Sequence, residues 1–339
     1  MRRGVLVRLV AVGLAAAAVA VAVALLIPWL PTAASKQADR IDFVFWFVTG
    51  ICIAIFSLVA AVILYAVVRF RARPDDDSDG APIHGNTGLE IAWTAVPAVL
   101  VTAIAVVSAV ALAQNDHLPK RHIRVNVSAE QFAWTFSYPK YKGLTVSTLH
   151  LPIHEAVELK MRSKDVIHSF WVPQFSQKQD LVPGITTRLV ITPKRLGTYP
   201  VVCTELCGEG HALMRTQAVV QTPAAFAAWV TAQEKLAQKA QGGAGAGPGL
   251  AAFNNNGCSA CHAFKPAGST GTTGPDLDNL ATYARRAGKP LDAFIQQSIV
   301  DPNAYIEKGY QPGIMPSTFK SLPKDQLDAL VQFLSQGKK

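Results

Sequence analysis

Residues 203–214 read C-T-E-L-C-G-E-G-H-A-L-M and place two thiols, an imidazole and a thioether within twelve positions: Cys203, Cys207, His211 and Met214. All four are soft or borderline donors, the kind that select copper over hard cations. Thiolates four residues apart could bridge two ions if both turn inward on a loop, with His211 and Met214 capping them. A two-metal site needs a second imidazole. His168, in D-V-I-H-S-F-W and 35 residues before Cys203, could face the loop across one end of a β-sandwich. A zinc site and a Cys203–Cys207 disulfide are the alternatives. Zinc prefers closed Cys/His sets and has no need of a thioether. A disulfide would leave His211 and Met214 without a role.

A second constellation, C-S-A-C-H, runs from Cys258 to His262. This is the attachment signature of a c-type haem. Two intervening residues set both sulfurs over one haem edge, and His262 follows as the proximal iron ligand. Met315, in G-I-M-P-S-T-F and 53 residues beyond His262, is the candidate sixth ligand; a buried hydrophobe is the alternative. Met161, within an alternating run, reads as core. His84, His117, His122, His150 and His154 have no ligand spacing.

The chain that must position these groups has 339 residues, 50% apolar and only 16% charged. Its length suits two to three domains, and so little charge points to membrane segments. Four of the five cysteines lie in the two motifs. The fifth, Cys52, sits alone in an apolar run, where a thiol packs as a small hydrophobe. The net charge of +9 is concentrated between His117 and Ala240, with fifteen Lys/Arg against eight Asp/Glu. No basic cluster is interleaved with aromatics, which argues against nucleic-acid binding. A basic middle domain repels a strongly basic soluble donor.

Residues 1–35 read as a leader, either a signal peptide or an extra helix. Arg2, Arg3 and Arg8 precede nineteen uncharged residues, Leu9–Ile27, and Ala33-Ala34-Ser35 could form a cleavage region. Phe43–Val68 (26 residues) and Ile91–Ala113 (23 residues, with Pro97 inside) are each long enough to span a bilayer. Arg69, Arg71 and Arg73 mark the cytoplasmic end of a hairpin over residues 40–116, ahead of the acidic patch Asp75–Asp77. Over residues 117–240 the pattern changes to short alternating runs (H-I-R-V-N-V-S, A-V-E-L-K-M-R, T-T-R-L-V-I-T, T-Y-P-V-V) punctuated by Pro and Gly, which predicts a β-sandwich. A short helix follows over Phe226–Ala240. Residues 241–249, Q-G-G-A-G-A-G-P-G, read as a flexible linker with a reach under about 20 Å. Residues 250–339 carry helical periodicity, clearest in L-D-A-F-I-Q-Q-S-I and K-D-Q-L-D-A-L-V-Q-F-L.

These motifs together resemble subunit II of a haem–copper cytochrome c oxidase, of the caa type with a cytochrome c domain fused at the C-terminus. The resemblance rests on C-x-E-x-C-x3-H-x2-M with the upstream H-S-F, on G-N-T-G-L-E-I-A-W-T-A-V-P opening the second span, on K-Q-D-L-V-P-G at 178–184, and on G-T-T-G-P-D-L in the haem region. It implies a transmembrane α-hairpin, a cupredoxin-like all-β sandwich and an all-α class I cytochrome c domain. It also implies a binuclear copper A centre and covalent haem c. Cys203 and Cys207 would bridge the coppers, His168 and His211 would each cap one, Met214 would be a weak axial ligand, and Glu205 would give its backbone carbonyl. The Glu205 carboxylate would face a magnesium ion shared with subunit I. Glu90 would sit at a proton-pathway entrance. Asp180 lies in the matched K-Q-D segment without a clear role. In this family an exposed tryptophan receives electrons; Phe132 stands in that place here, and Trp134 remains nearby, so the electron route would use Phe132 or Trp134. Subunits I and III, cytochrome c or another respiratory donor, and membrane lipid would be partners. The setting would be a bacterial inner (plasma) membrane, crossed more than once, with the copper and haem domains on the periplasmic side. Electrons would pass towards haem a in subunit I, which reduces oxygen to water and pumps protons. Nitrous oxide reductase shares the copper motif but needs a propeller domain and no hairpin. A quinol-oxidase subunit II would lack the copper ligands.

Overall fold

The computed structural model describes residues 3–71, 82, 84–241 and 246–337. Arg73, the patch Asp75–Asp77 and residues 242–245 of the expected linker lie outside the described residues. The chain divides into two compact units, residues 1–33 with 39–115, and residues 34–38 with 116–339.

The first unit is helical: α1 (Arg3–Leu26), α2 (Lys36–Arg69) and α3 (Thr87–Asp116). Among the described residues three helices are long and apolar enough to cross a membrane, α1 in the leader region included. The leader region therefore takes the form of a helix. α2 begins seven residues before the charge-free run because Ser35 caps it, its Oγ accepting from the Ala38 N–H at 3.0 Å. α3 carries Pro97 inside, as expected, and starts on a reciprocal cap. Asn86 Oδ1 accepts from the Leu89 N–H, and Glu90 Oε1 accepts from the Asn86 N–H, both at 3.1 Å.

The second unit opens with a two-layer β-sandwich. One sheet has the order β3-β2-β1-β5-β8. Its strands are β1 (Ile123–Glu130), β2 (Ala133–Tyr138), β3 (Leu144–Val146), β5 (Val157–Ser163) and β8 (Thr187–Ile191). The other has the order β4-β10-β9-β6-β7. It is built from β4 (Leu149–Pro152), β6 (His168–Val172), β7 (Gln177–Leu181), β9 (Gly197–Cys203) and β10 (Arg215–Gln221). The four alternating runs read from the sequence form β1, β5, β8 and β9. Alternation in β1 sends Ile123, Val125, Val127 and Ala129 into the core. Trp134, Phe136 and Phe170 meet edge to face at the core's centre, with ring centroids 5.7 and 6.4 Å apart. α4 (Pro223–Gln241) lies against the sandwich through Phe226 and Trp229, the latter stacked on His150 at 4.0 Å.

Apart from a small two-stranded sheet (Ala263–Phe264 with Ser269–Thr270), the rest of the unit is helical: α5 (Ala246–Asn255), α6 (Cys258–Cys261), α7 (Leu280–Arg286), α8 (Leu291–Val300) and α9 (Lys324–Leu334). Phe253, Phe264 and Phe333 cluster at its centre with centroids 5.3 to 5.9 Å apart. α5 begins inside the stretch read as linker. The reason is packing. Gly249 lies so close to Ala329 and Phe333 of α9 that any Cβ there would collide, so one glycine that suggested flexibility instead permits close helix contact.

Phe170 fills the sandwich centre with no exposed surface. Phe170→Ala is expected to cost about 3–5 kcal/mol by loss of buried area and a residual cavity. Denaturant unfolding of the detergent-solubilised chain, followed by tryptophan fluorescence, measures this; a loss under about 1 kcal/mol would contradict the packing described.

Candidate metal centres

β6 and β9 are neighbours, and their register pairs Phe170 with Cys203. That register sets His168, the first residue of β6, beside Cys203, the last residue of β9. The loop from 204 to 214 then folds back over them. Its start is tied to β6 by Thr204 N–H donating to the Ser169 carbonyl at 3.0 Å. Its ends are tied together by Cys203 N–H donating to the Met214 carbonyl at 3.2 Å. A 3-10 turn, His211–Leu213, aims the His211 ring inward.

The result is a chain of donors. His168 Nδ1 lies 3.9 Å from Cys203 Sγ, the two sulfurs lie 3.9 Å apart, and Cys207 Sγ lies 3.4 Å from His211 Nδ1 and 3.8 Å from Met214 Sδ. Cys203 Sγ also lies 3.3 Å from the Glu205 carbonyl oxygen. The metal-binding atoms of His168, Cys203 and Cys207 all fall within 4.8 Å of one another. His168 and Met214 have no exposed surface, and both cysteines are buried. Both are free thiols, so the disulfide alternative is not realised. Two thiols, two imidazoles, a thioether and a carbonyl exceed the four donors of a closed zinc site. They are the soft, mixed set that copper takes, and the residues therefore fit a two-copper group. The Glu205 side chain points outward, exposed.

Sequence reading missed the residues that hold these ligands. Asp165 Oδ1 lies 2.8 Å from His168 Nε2. Because a carboxylate only accepts, Nε2 carries the proton and Nδ1 is left for metal. Burial pushes the Asp165 carboxyl up, but hydrogen bonds from His168 and the Gln131 and Val166 amides outweigh it and leave the carboxyl below its usual range. Burial pulls the His168 ring down, and Asp165 and Cys203 overcome this and raise it to about 9. Burial and the charge at Cys203 push the Cys207 thiol up. Gln131 completes the frame: its N–H donates to Asp165 Oδ2 at 2.7 Å and its side-chain amide donates to the Cys207 carbonyl at 2.6 Å. An acid three residues before the histidine was visible in the sequence. Gln131 carried no signal, because its role depends on strand register.

Neither aromatic proposed for electron transfer is open to solvent. Trp134 is 1% exposed, its ring centroid 6.3 Å from that of His168, and its indole N–H donates to the Met214 carbonyl at 3.4 Å. Phe132 lies against Gly208 and Gly210 so closely that a Cβ at either glycine would crowd or strike its ring. Asp180 accepts from the Ser169 hydroxyl at 2.7 Å, one strand away from the donors. Glu90 lies in the first unit, where it caps α3.

The second constellation lines a cavity of about 600 Å³. Cys258, Cys261, His262 and Met315 all face it, among apolar side chains such as Phe253 and Ile299. His262 Nδ1 lies 2.7 Å from the Pro275 carbonyl, so that nitrogen carries the proton and Nε2 is free to bind iron. Burial holds the ring's pKa down and favours the neutral form that a metal needs. Gly274 passes so close to the His262 ring that a Cβ would sit 2.5 Å from it, and only glycine fits. Two thiols and an imidazole on one wall and a thioether in the lining fit a covalently held haem. Phe132, Ala133 and Leu213 of the sandwich line the same cavity.

Three family profiles match the chain: the transmembrane domain of cytochrome c oxidase subunit II over residues 21–110, the periplasmic domain of the same subunit over residues 145–222, and cytochrome c over residues 246–338. Among curated relatives, cytochrome c oxidase subunit 2 of Synechocystis is 35% identical over 250 residues, covering 60% of this chain and 75% of that protein. Its counterpart in Thermostichus vulcanus is 34% identical, covering 61% and 79%. That of Alkalihalophilus pseudofirmus is 30% identical over 298 residues, covering 84% and 83%.

Asp165→Ala removes the acceptor that fixes the His168 tautomer. Copper affinity is expected to fall about 10–100-fold, with an altered copper EPR signal; competition titration measures the first, and an unchanged affinity would deny Asp165 this role. Loading also displaces protons from His168 and the thiols. The apparent affinity of the metal-free chain is therefore expected to climb with pH, and to climb less steeply above the His168 value of about 9, whereas an unchanged slope there would show the ring neutral throughout.

Proposed function

The chain belongs to the cytochrome c oxidase subunit II family, and we propose that it receives respiratory electrons on its fused cytochrome c domain and delivers them through its copper domain to subunit I. There oxygen is reduced to water with proton pumping, so the chain is enzymatic as part of an oxidoreductase complex. The observation that carries this reading is the shared wall between the two donor sets. Phe132 packs on Gly208 and Gly210 of the thiol loop and also lines the cavity faced by Cys258, Cys261 and His262.

Cys203 and Cys207 would hold the two coppers together with His168 and His211, Met214 would be the weak donor and Glu205 would offer its carbonyl. Cys258 and Cys261 would hold the haem covalently, and His262 and Met315 would serve its iron. When bound, these groups supply one-electron carriers. The protein's work is to keep both sites dry, His168 and His262 each in one tautomer, and both thiol pairs free of disulfide. The buried Phe132 and Trp134 form the apolar path beside the loop. The exposed Glu205 carboxylate suits a hard cation such as magnesium at the subunit I interface. The Glu90 cap is the proton-pathway candidate at the start of α3.

We assign residues 1–35 to a leader or extra helix, 40–116 to the membrane hairpin, 117–240 to the copper domain, 241–249 to the connection, whose last four residues already open α5, and 250–339 to the cytochrome domain. Arg69 and Arg71 at the end of α2 put that end in the cytoplasm. The copper and haem domains then stand on the periplasmic side of a bacterial inner membrane, in contact with lipid, subunit III and a donor such as cytochrome c.

Cys207→Ala is expected to abolish the mixed-valence copper EPR signal while leaving the haem c spectrum in place, and oxygen uptake by the purified complex should drop to background. Retained uptake would mean that electrons bypass the thiol loop. Purification in mild detergent without any haem a-containing partner would contradict the oxidase assignment.

A further inference from the structure

Two dipeptides in the copper domain face two ways. Glu130–Gln131 ends β1, and Lys164–Asp165 follows β5. They are joined by the Lys164 N–H donating to the Ala129 carbonyl at 2.9 Å and by the Gln131 N–H donating to Asp165 Oδ2 at 2.7 Å. Their inner members, Gln131 and Asp165, hold the Cys207 carbonyl and the His168 ring. Their outer members turn to the cytochrome domain. Lys164 Nζ lies 3.0 Å from Glu130 Oε1 and donates to the Asn255 carbonyl at 3.1 Å. Asn255 is the last residue of α5, whose final carbonyls lack partners within the helix and form the negative end of its dipole. Two residues on, Gly257 has a φ of +70°, and a Cβ there would lie 2.6 Å from Glu130 Oε1. Gly257 directly precedes Cys258, so the cytochrome backbone is in contact with the copper domain at its haem-attachment motif.

We propose that Lys164 and Glu130 form a latch that docks the cytochrome domain on the copper domain, gripping the C-terminal end of α5 beside the haem-attachment cysteines. This deepens the electron-transfer reading above and rests on it for its purpose. Lys164 supplies the attraction, joining a carboxylate of one domain to a helix end of the other. Glu130 fixes where the ammonium stands. Gly257 allows the approach, because any side chain there would push the carboxylate away. Both Lys164 and Glu130 are positioning residues, set one peptide bond from the groups that hold the copper ligands. The haem pose and the ligand frame therefore share one rigid support.

Hydrogen exchange on the full chain in detergent tests the latch with or without metals bound. In Lys164→Met, amides of residues 250–262 are expected to exchange about fivefold faster, the scale of one partly exposed charge contact. Amides of α9, inside the cytochrome core, are expected to keep their wild-type rates, and Lys164→Arg is expected to behave as wild type. Added salt should speed exchange over 250–262 in the wild type and not in Lys164→Met. Flash reduction of haem c in Lys164→Met should reveal a slow phase of electron transfer, with the haem optical and copper EPR spectra unchanged. Wild-type exchange at 250–262 in Lys164→Met, or an equal rise in α9, overturns the latch. Loss of the copper or haem spectrum would instead strike at the functional reading, and the exchange result would still decide the latch.

Discussion

The register between β6 and β9 is the constraint on which the rest depends. It pairs Phe170 with Cys203 and so brings His168 to a thiol 35 residues away in sequence. A slip of one residue would turn His168 away from the space between the sheets and Ser169 towards it. Phe170 and Trp134 oppose such a slip, because their rings fill the space between the sheets. Apolar packing thus does for the metal cluster what no single hydrogen bond could. It holds soft donors near one another, dry, at a spacing that leaves the sulfurs unbonded.

The donors themselves were legible because metal and haem chemistry demand particular atoms at short sequence spacing. Cys203, Cys207, His211 and Met214 lie within one loop, and C-S-A-C-H is contiguous. His168 was reachable because a second imidazole was required and D-V-I-H-S-F-W had a strand's character. The strands with strict alternation were legible for the same kind of reason, as were the two amphipathic helices α8 and α9. What stayed hidden depends on register. Gln131, Lys164 and Glu130 act across strands, and nothing in their local sequence distinguishes them from surface polar residues. Gly249 shows the opposite error, since a glycine in a glycine-rich run reads as slack unless the helix it touches is known.

Phe132 is instructive for a different reason. Taken alone, an aromatic at a turn between β1 and β2 reads as a surface residue or as strand packing. Its surroundings make it a partition between the two donor sets. Two glycines on one side accept its ring, and the haem cavity lies on the other. The burial that removes it from solvent also removes it from direct contact with a soluble donor while the cytochrome domain is docked.

Gly257 against Glu130 has a bearing on how the protein is made. Forming two thioethers requires Cys258 and Cys261 to be reachable and a large flat group to slide in beside them. In the closed arrangement one wall of that cavity belongs to the neighbouring domain, and the residue before Cys258 is already in contact with it. A group of that size would reach Cys258 and Cys261 more readily before that wall is in place.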